Sequence, residues 1–368
     1  MNLQPFQLER YFARYEFNTE FLMCSSDCES LAVKDLLGLE PGAAEGLDAL
    51  WLGYTESQGS PSLRREIARI YTTVDPEEVL VHAGAEEAIF LFMHAALEAG
   101  DHVVVHMPCY QSLGEVAAGI GARVSAWRGR AENGWAPDPD ELKNLLRPNT
   151  RAVVINTPHN PTGYLFSREA FAQVCRLTAE RGVALFCDEV YRELEHDPAL
   201  RLPAAADANP LAVSLGVMSK TYGLAGLRIG WAAGHNRAVM SRMAALKDYT
   251  TICSSAPSEY LAGLALRHRE QLARRNLEII RRNLDVLDGL FARHPDRFAW
   301  QRPGAGSVAF PGLVGEDVES FCDRLVRGAG VLLAPGNLFG DDGNHFRVGF
   351  GRENLPQAVA RMEEFLAR

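Results

Sequence analysis

The chain has 368 residues, 47% of them hydrophobic, with 37 Lys and Arg against 47 Asp and Glu for a formal net charge of −10; it is long enough for a sizeable core divided over two domains. The acidic balance and the lack of a basic tail argue against nucleic-acid partners. No apolar run approaches the ~20 residues that cross a bilayer, the start lacks a signal-peptide core, and seven scattered cysteines without finger spacing point to reduced thiols, no metal and a cytoplasmic location.

The first 45 or so residues carry no clear periodicity and are expected to pack on a smaller domain. From about residue 75, short runs rich in Val, Ile and Leu predict strands at 79–81, 102–106, 124–127, 152–155, 183–187, 211–217 and 229–233. Apolar residues at consecutive positions mark strands covered on both faces. Helical patterns at 85–98 and 168–181 lie between them, and Gly100-Asp101 and Arg181-Gly182 supply helix stops. This alternation predicts an α/β domain with a mainly parallel seven-stranded sheet and helices on both faces. The tail differs: one long helix over 258–294, shorter strands at 307–310, 331–333 and 346–350, and a closing helix over 355–366 predict a smaller α+β domain. The expected division is 46–250 for the large domain, with 1–45 and 251–368 forming the small one.

Five places in the large domain follow a strand or open a helix, where open α/β sheets bind ligands. At Val81-His82-Ala83-Gly84-Ala85-Glu86 a strand passes through glycine into a helix N-terminus, whose free N–H groups favour an anion. Pro108-Cys109-Tyr110 offers an aromatic ring to a planar ligand, or to the core. Asn156-Thr157-Pro158-His159-Asn160-Pro161-Thr162-Gly163 is a tight turn that holds the Asn160 amide over the sheet edge; His159 is read as structural. Five apolar residues, 183–187, deliver Asp188 to a strand end, where a buried carboxylate needs a partner; its neighbour Glu189 suits a helix cap better. In Ser219-Lys220-Thr221-Tyr222-Gly223-Leu224-Ala225-Gly226-Leu227-Arg228, a lysine able to form an imine precedes glycines and an arginine fork suited to phosphate. Each of these alone also reads as a turn, a cap or a solvated charge.

Together and in this order the segments resemble the class I/II aminotransferases of the fold-type I enzymes that use pyridoxal 5′-phosphate (PLP), over about residues 51–350. The resemblance implies that Lys220 carries PLP as a Schiff base and moves protons, that Asp188 pairs with the pyridine nitrogen, and that Asn160 and Tyr191 bond the ring oxygen. It also implies that Tyr110 stacks on the ring, and that Arg228, Ser219 and the backbone at Gly84, Ala85 and Glu86 hold the phosphate. Tyr54 matches a tyrosine that reaches the phosphate of a neighbouring subunit, which implies a homodimer. Arg347, in Phe346-Arg347-Val348-Gly349-Phe350, matches the arginine that clamps a substrate carboxylate.

Three departures stand out. Val217 replaces a hydroxyl residue, and Glu86, expected to point outward, lies near a usual Ser or Thr. Where relatives carry a glycine, this chain has a segment in which Ser25 or Ser26 would line the substrate pocket. The implied reaction is ping-pong transfer of an amino group from an amino acid to a 2-oxo acid. The alternatives are elimination, replacement or cyclisation on the same scaffold and, more distantly, a PLP-binding sensor without catalysis.

Overall fold

The protein is described by a computed structural model covering residues 2–368. All seven expected strands are present: β1 (Val79–His82), β2 (His102–Met107), β3 (Arg123–Arg128), β4 (Thr150–Asn156), β5 (Ala184–Asp188), β6 (Ala212–Val217) and β7 (Gly230–Ala233). They form one sheet in the order β1-β7-β6-β5-β4-β2-β3. Strands β2 to β6 pair parallel, and β7 runs antiparallel to both of its neighbours.

The consecutive apolar residues serve two faces. Val103, Val105, Ala152, Val154 and Phe186 pack on one side with Phe92 of the helix Ala85–Ala96. Val104, Val153, Ile155 and Leu185 pack on the other with Phe171 of the helix Arg168–Glu180. Strand alternation sends neighbouring side chains to opposite faces, so a sheet covered twice over requires an unbroken apolar run.

Register fixes the functional edge. Asn156 pairs with Asp188 at the ends of β4 and β5, and Asp188 lies beside Leu215 of β6. The three loops that follow therefore open at one edge of the sheet.

Beyond the sheet, the single long helix expected over 258–294 is in fact two, Ala256–Arg267 and Arg269–Arg293. His268 breaks it, with φ −110° and ψ 19°. Its ring lies 3.3 Å from Glu40, which also binds Arg267; a tertiary anchor, rather than Gly or Pro, makes the bend. Val308–Ala309, Phe346–Gly349 and Ala334–Pro335 form a three-stranded sheet. The strand expected at 331–333 is thus shifted to 334–335, and Val331 instead bridges Phe21.

The N-terminal segment runs across these elements. A helix spans Gln7–Tyr15, and the Tyr11 hydroxyl donates to the Leu333 carbonyl at 2.8 Å. Gly349 N–H donates to Met23 O at 2.8 Å. A Cβ on Gly349 would fall 1.7 Å from Ser25 O, so only glycine allows that approach. Among the described residues no helix is long and apolar enough to cross a membrane.

Candidate active site

A cavity of about 340 Å³ opens at the carboxyl ends of β4, β5 and β6. A wider hollow of about 480 Å³ lies elsewhere, and the charged residues on its wall (Arg168, Glu169 and Arg302) are exposed. Only the first gathers buried ionisable groups, and those are what chemistry draws on.

Asp188 is buried at its floor. Its Oδ1 accepts one hydrogen bond, from Val190 N–H at 3.1 Å. Burial pushes its pKa from 3.8 up to about 7, offset in part by the Val190 bond and by Lys220. Its backbone is locked, with the carbonyl accepting from Asn156 Nδ2 at 2.8 Å and Thr157 N–H at 2.9 Å. Glu189 points away, taking Ala205 N–H at 2.6 Å and Ser214 Oγ at 2.9 Å, the capping role read from the sequence.

Lys220 stands after β6 with its Nζ donating to Ser26 Oγ at 2.9 Å. Burial lowers its pKa, with Asp27 and Asp188 opposing and Arg347 adding. Arg228 adopts φ +51°, an uncommon conformation for a residue with a side chain. Its Nη2 lies where a Cβ on Gly84 would be 2.5 Å away, so glycine at φ +88° opens the space that the guanidinium uses. The helix N-terminus at Ala85 and Glu86 adjoins it.

Glu86 does not point outward as expected. It lines the cavity, its carboxylate accepts from Ser112 Oγ at 3.1 Å, and burial raises its pKa to about 7. The neighbouring Ser112 hydroxyl supplies a bond that solvent otherwise would.

Arg347 is 1% exposed. Nε donates to Cys24 O at 3.0 Å, Nη1 donates to Asn160 Oδ1 at 3.1 Å, and Nη2 has no partner. The Phe339 ring covers the guanidinium at 4.8 Å. A buried cation with a free N–H and no carboxylate beside it is costly unless an anion arrives. Tyr191, also 1% exposed, has an unpartnered hydroxyl. Asn160 is fixed by its own N–H, which donates to Asn156 Oδ1 at 2.6 Å.

The sequence-predicted Ser25, Ser26, Ala85, Tyr110, Asn160, Asp188, Tyr191, Ser219, Lys220, Arg228 and Arg347 all line this one cavity, as does Val217. Gly84 shapes its rim. Tyr54 does not reach it; it is 88% exposed on the outer surface. His159 is buried against Thr162 Oγ1 at 2.7 Å, with its ring 4.1 Å from that of His106 at a tilt of 30°, and it does not line the cavity.

The sequence reading missed nine lining residues: the apolar Leu8, Ile89, Val190 and Ala225, then Glu9, Phe12 and Glu16 near the N-terminus, and the ion pair of Asp27 with Arg352. The Glu9, Phe12, Glu16 spacing of one helical stripe was the available signal.

Comparison with known proteins follows the same lines. Residues 24–362 match the family described as aminotransferase class I and II. Capreomycidine synthase of Streptomyces vinaceus is 33% identical over 370 residues, 99% of this chain and 93% of that protein. The solved structure of a PLP-dependent aminotransferase from Streptococcus suis superposes with a TM-score of 0.94 at 32% identity, covering 100% of this chain and 99% of that one. That of the PLP-dependent cyclase OrfR gives 0.91 at 33% identity, covering 100% and 98%.

Proposed function

We propose that this chain, which belongs to the class I and II aminotransferase family and shares its fold-type I architecture and PLP cofactor, moves the amino group of an amino acid to a 2-oxo acid. The observation that carries this reading is one cavity holding a lysine whose charged form burial disfavours, a buried aspartate and a buried arginine with a free N–H.

The residues present fit PLP. The orphaned Tyr191 hydroxyl and the Asn160 amide suit the ring oxygen. Asp188, whose charged form burial disfavours for want of a cation partner, suits a protonated ring nitrogen that would restore its carboxylate. Arg228, Ser219 and the backbone at Gly84, Ala85 and Glu86 suit a phosphate, with Tyr110 beside the ring and Lys220 as the point of attachment. When bound, PLP supplies the electron sink for charge developing at the substrate Cα.

The chain's own groups do the rest. Arg347 orients the substrate α-carboxylate through its unpaired end. Lys220 Nζ, steadied by Ser26, takes the proton from Cα, and its lowered pKa keeps a share of the amine unprotonated. Positioned proton transfer of this kind is worth ~10²–10⁴-fold. Leu8, Phe12 and Ile89 wall the cavity and limit water.

A homodimer is part of this reading. Trp51, Leu52, Tyr54, Tyr249 and Ile252 are exposed, and their two segments are tied together by Thr55 Oγ1 to Ser254 O at 3.0 Å. Large apolar side chains exposed together suit a second copy, whose phosphate site Tyr54 would then reach.

The second reading is elimination or cyclisation, favoured by the full-length similarity to a synthase and a cyclase. Spectral titration of the PLP-loaded protein with single amino acids separates the two. Transamination predicts stoichiometric loss of the visible band, a 2-oxo acid product, and recovery of the band on adding another 2-oxo acid. Ammonia or a ring-closed product, with no need of an amino acceptor, would establish the second reading instead.

A further inference from the structure

We infer that the cavity selects an α-amino acid with a long cationic side chain, whose charged end is received by Glu9 and Glu16 of the N-terminal segment. This rests on the reading of the cavity as an amino acid site, and it adds the side chain which that reading leaves open.

Arg347 marks one end of the substrate. Its Nη2 is unpartnered on a residue that is 1% exposed, so an anionic group is wanted there. The other end is described by the helix Gln7–Tyr15 and its C-cap, Glu16. Glu9, Phe12 and Glu16 stand at i, i+3 and i+7, one stripe of a helix, and all three line the cavity. The Phe12 ring lies 6.0 Å from the Arg347 guanidinium carbon, which sets the stripe at the substrate end rather than the phosphate end. The Tyr110 hydroxyl donates to Glu9 at 3.4 Å and tethers that carboxylate over the opening.

Charge decides what this end accepts. Among the described residues neither Glu9 nor Glu16 forms an ion pair with Lys, Arg or His within 4.0 Å. Glu16 has its pKa raised, first by burial and then by Glu9, with Arg352 opposing and Asp27 adding. Both carboxylates, Glu9 exposed and Glu16 half-buried, thus line the cavity with no cation bound to them. Arg352 is the cation that a dicarboxylic substrate would seek, but Asp27 already holds it, Nε at 3.1 Å and Nη2 at 2.9 Å. An acidic side chain would meet two carboxylates and an occupied arginine. A guanidinium or ammonium group would instead find two carboxylates free to pair with it, with the Phe12 ring as an additional cation–π face. A long stem is required because neither carboxylate is within ion-pair reach of Arg347, the group that would hold the substrate's other end. An apolar side chain of the same length leaves both carboxylates unneutralised, and that difference is the source of selectivity.

The test is spectral titration of the PLP-loaded protein with L-arginine, L-lysine, L-norleucine and L-glutamate, reading half-saturation of the cofactor band rather than turnover. Arginine and lysine are expected to half-saturate at least roughly tenfold below norleucine, the scale of one charge-assisted hydrogen bond. Glu9→Gln and Glu16→Gln should each weaken the cationic ligands by roughly tenfold and leave norleucine unchanged. Unaltered melting and cofactor content would show that the variants are folded, and Glu16→Lys should turn the preference toward glutamate. Norleucine or glutamate binding as tightly as arginine to the native protein would overturn the cation site while leaving an amino acid enzyme. So would a double Gln variant that binds arginine normally. A band unmoved by every amino acid would sink the parent reading together with this one.

Discussion

At Asp188 and Glu86 burial raises the carboxyl pKa from 3.8 and 4.5, respectively, to about 7. In the cofactor-free protein the folded state thus holds these protons more tightly than the unfolded chain does. The associated stability is complete below about pH 4 and is lost as pH rises toward about 7. Asp188→Asn removes one of the two groups, so its melting temperature in the absence of PLP should fall less steeply between pH 4 and 7. The same variant should bind PLP more weakly, because a neutral amide gives a ring cation no counter-charge. Thermal melts across that range check the first effect, and a profile superimposable on the native one would discard Asp188 as the titrating group.

Among the elements, the turn from β1 into the helix Ala85–Ala96 is the least tolerant of change. A Cβ at Gly84 meets Arg228 at 2.5 Å, and both residues hold positive φ. Gly84→Ala should therefore reduce PLP affinity by roughly tenfold or more, the loss of one charge-assisted contact, while the sheet stays intact. Equilibrium dialysis measures this; native affinity would mean that Arg228 does not share the phosphate site. Much of this element-level design is legible in sequence. A strand buried on both faces must be written in consecutive apolar residues, so β1 to β7 stand out, and Asn156 and Asp188 mark where β4 and β5 end. The substrate end is not legible in that way. Asp27 and Arg352 are 325 positions apart, and no local pattern announces a pair made by tertiary closure. Glu86 was misjudged for a related reason: the dipole of its own helix was visible, but Ser112 on the next helix was not. The break at His268 lacks Gly or Pro because Glu40, far away in the chain, makes it.

For the whole molecule, the exposed aromatic surface makes the strongest demand. Trp51 is 81%, Tyr54 88% and Tyr249 91% exposed, and large aromatic rings open to water suit an interface. Replacing Trp51 and Tyr249 together by Glu should shift the protein from dimer to monomer in sedimentation and lower PLP retention, since Tyr54 would lose its neighbour. Dimeric sedimentation of that variant would place the interface elsewhere. The N-terminal helix has a different consequence. It is clipped to Gln111 through Gln7 N–H at 2.9 Å and to Leu333 through Tyr11 at 2.8 Å, yet it supplies none of the strand-end groups. On the proposed roles of Glu9 and Glu16, reaction and diet would be inherited separately: mutations in a stretch of some ten residues at the front of the chain would retune which amino acid is consumed, generation by generation, while Lys220, Asp188 and Arg228 remain as they were.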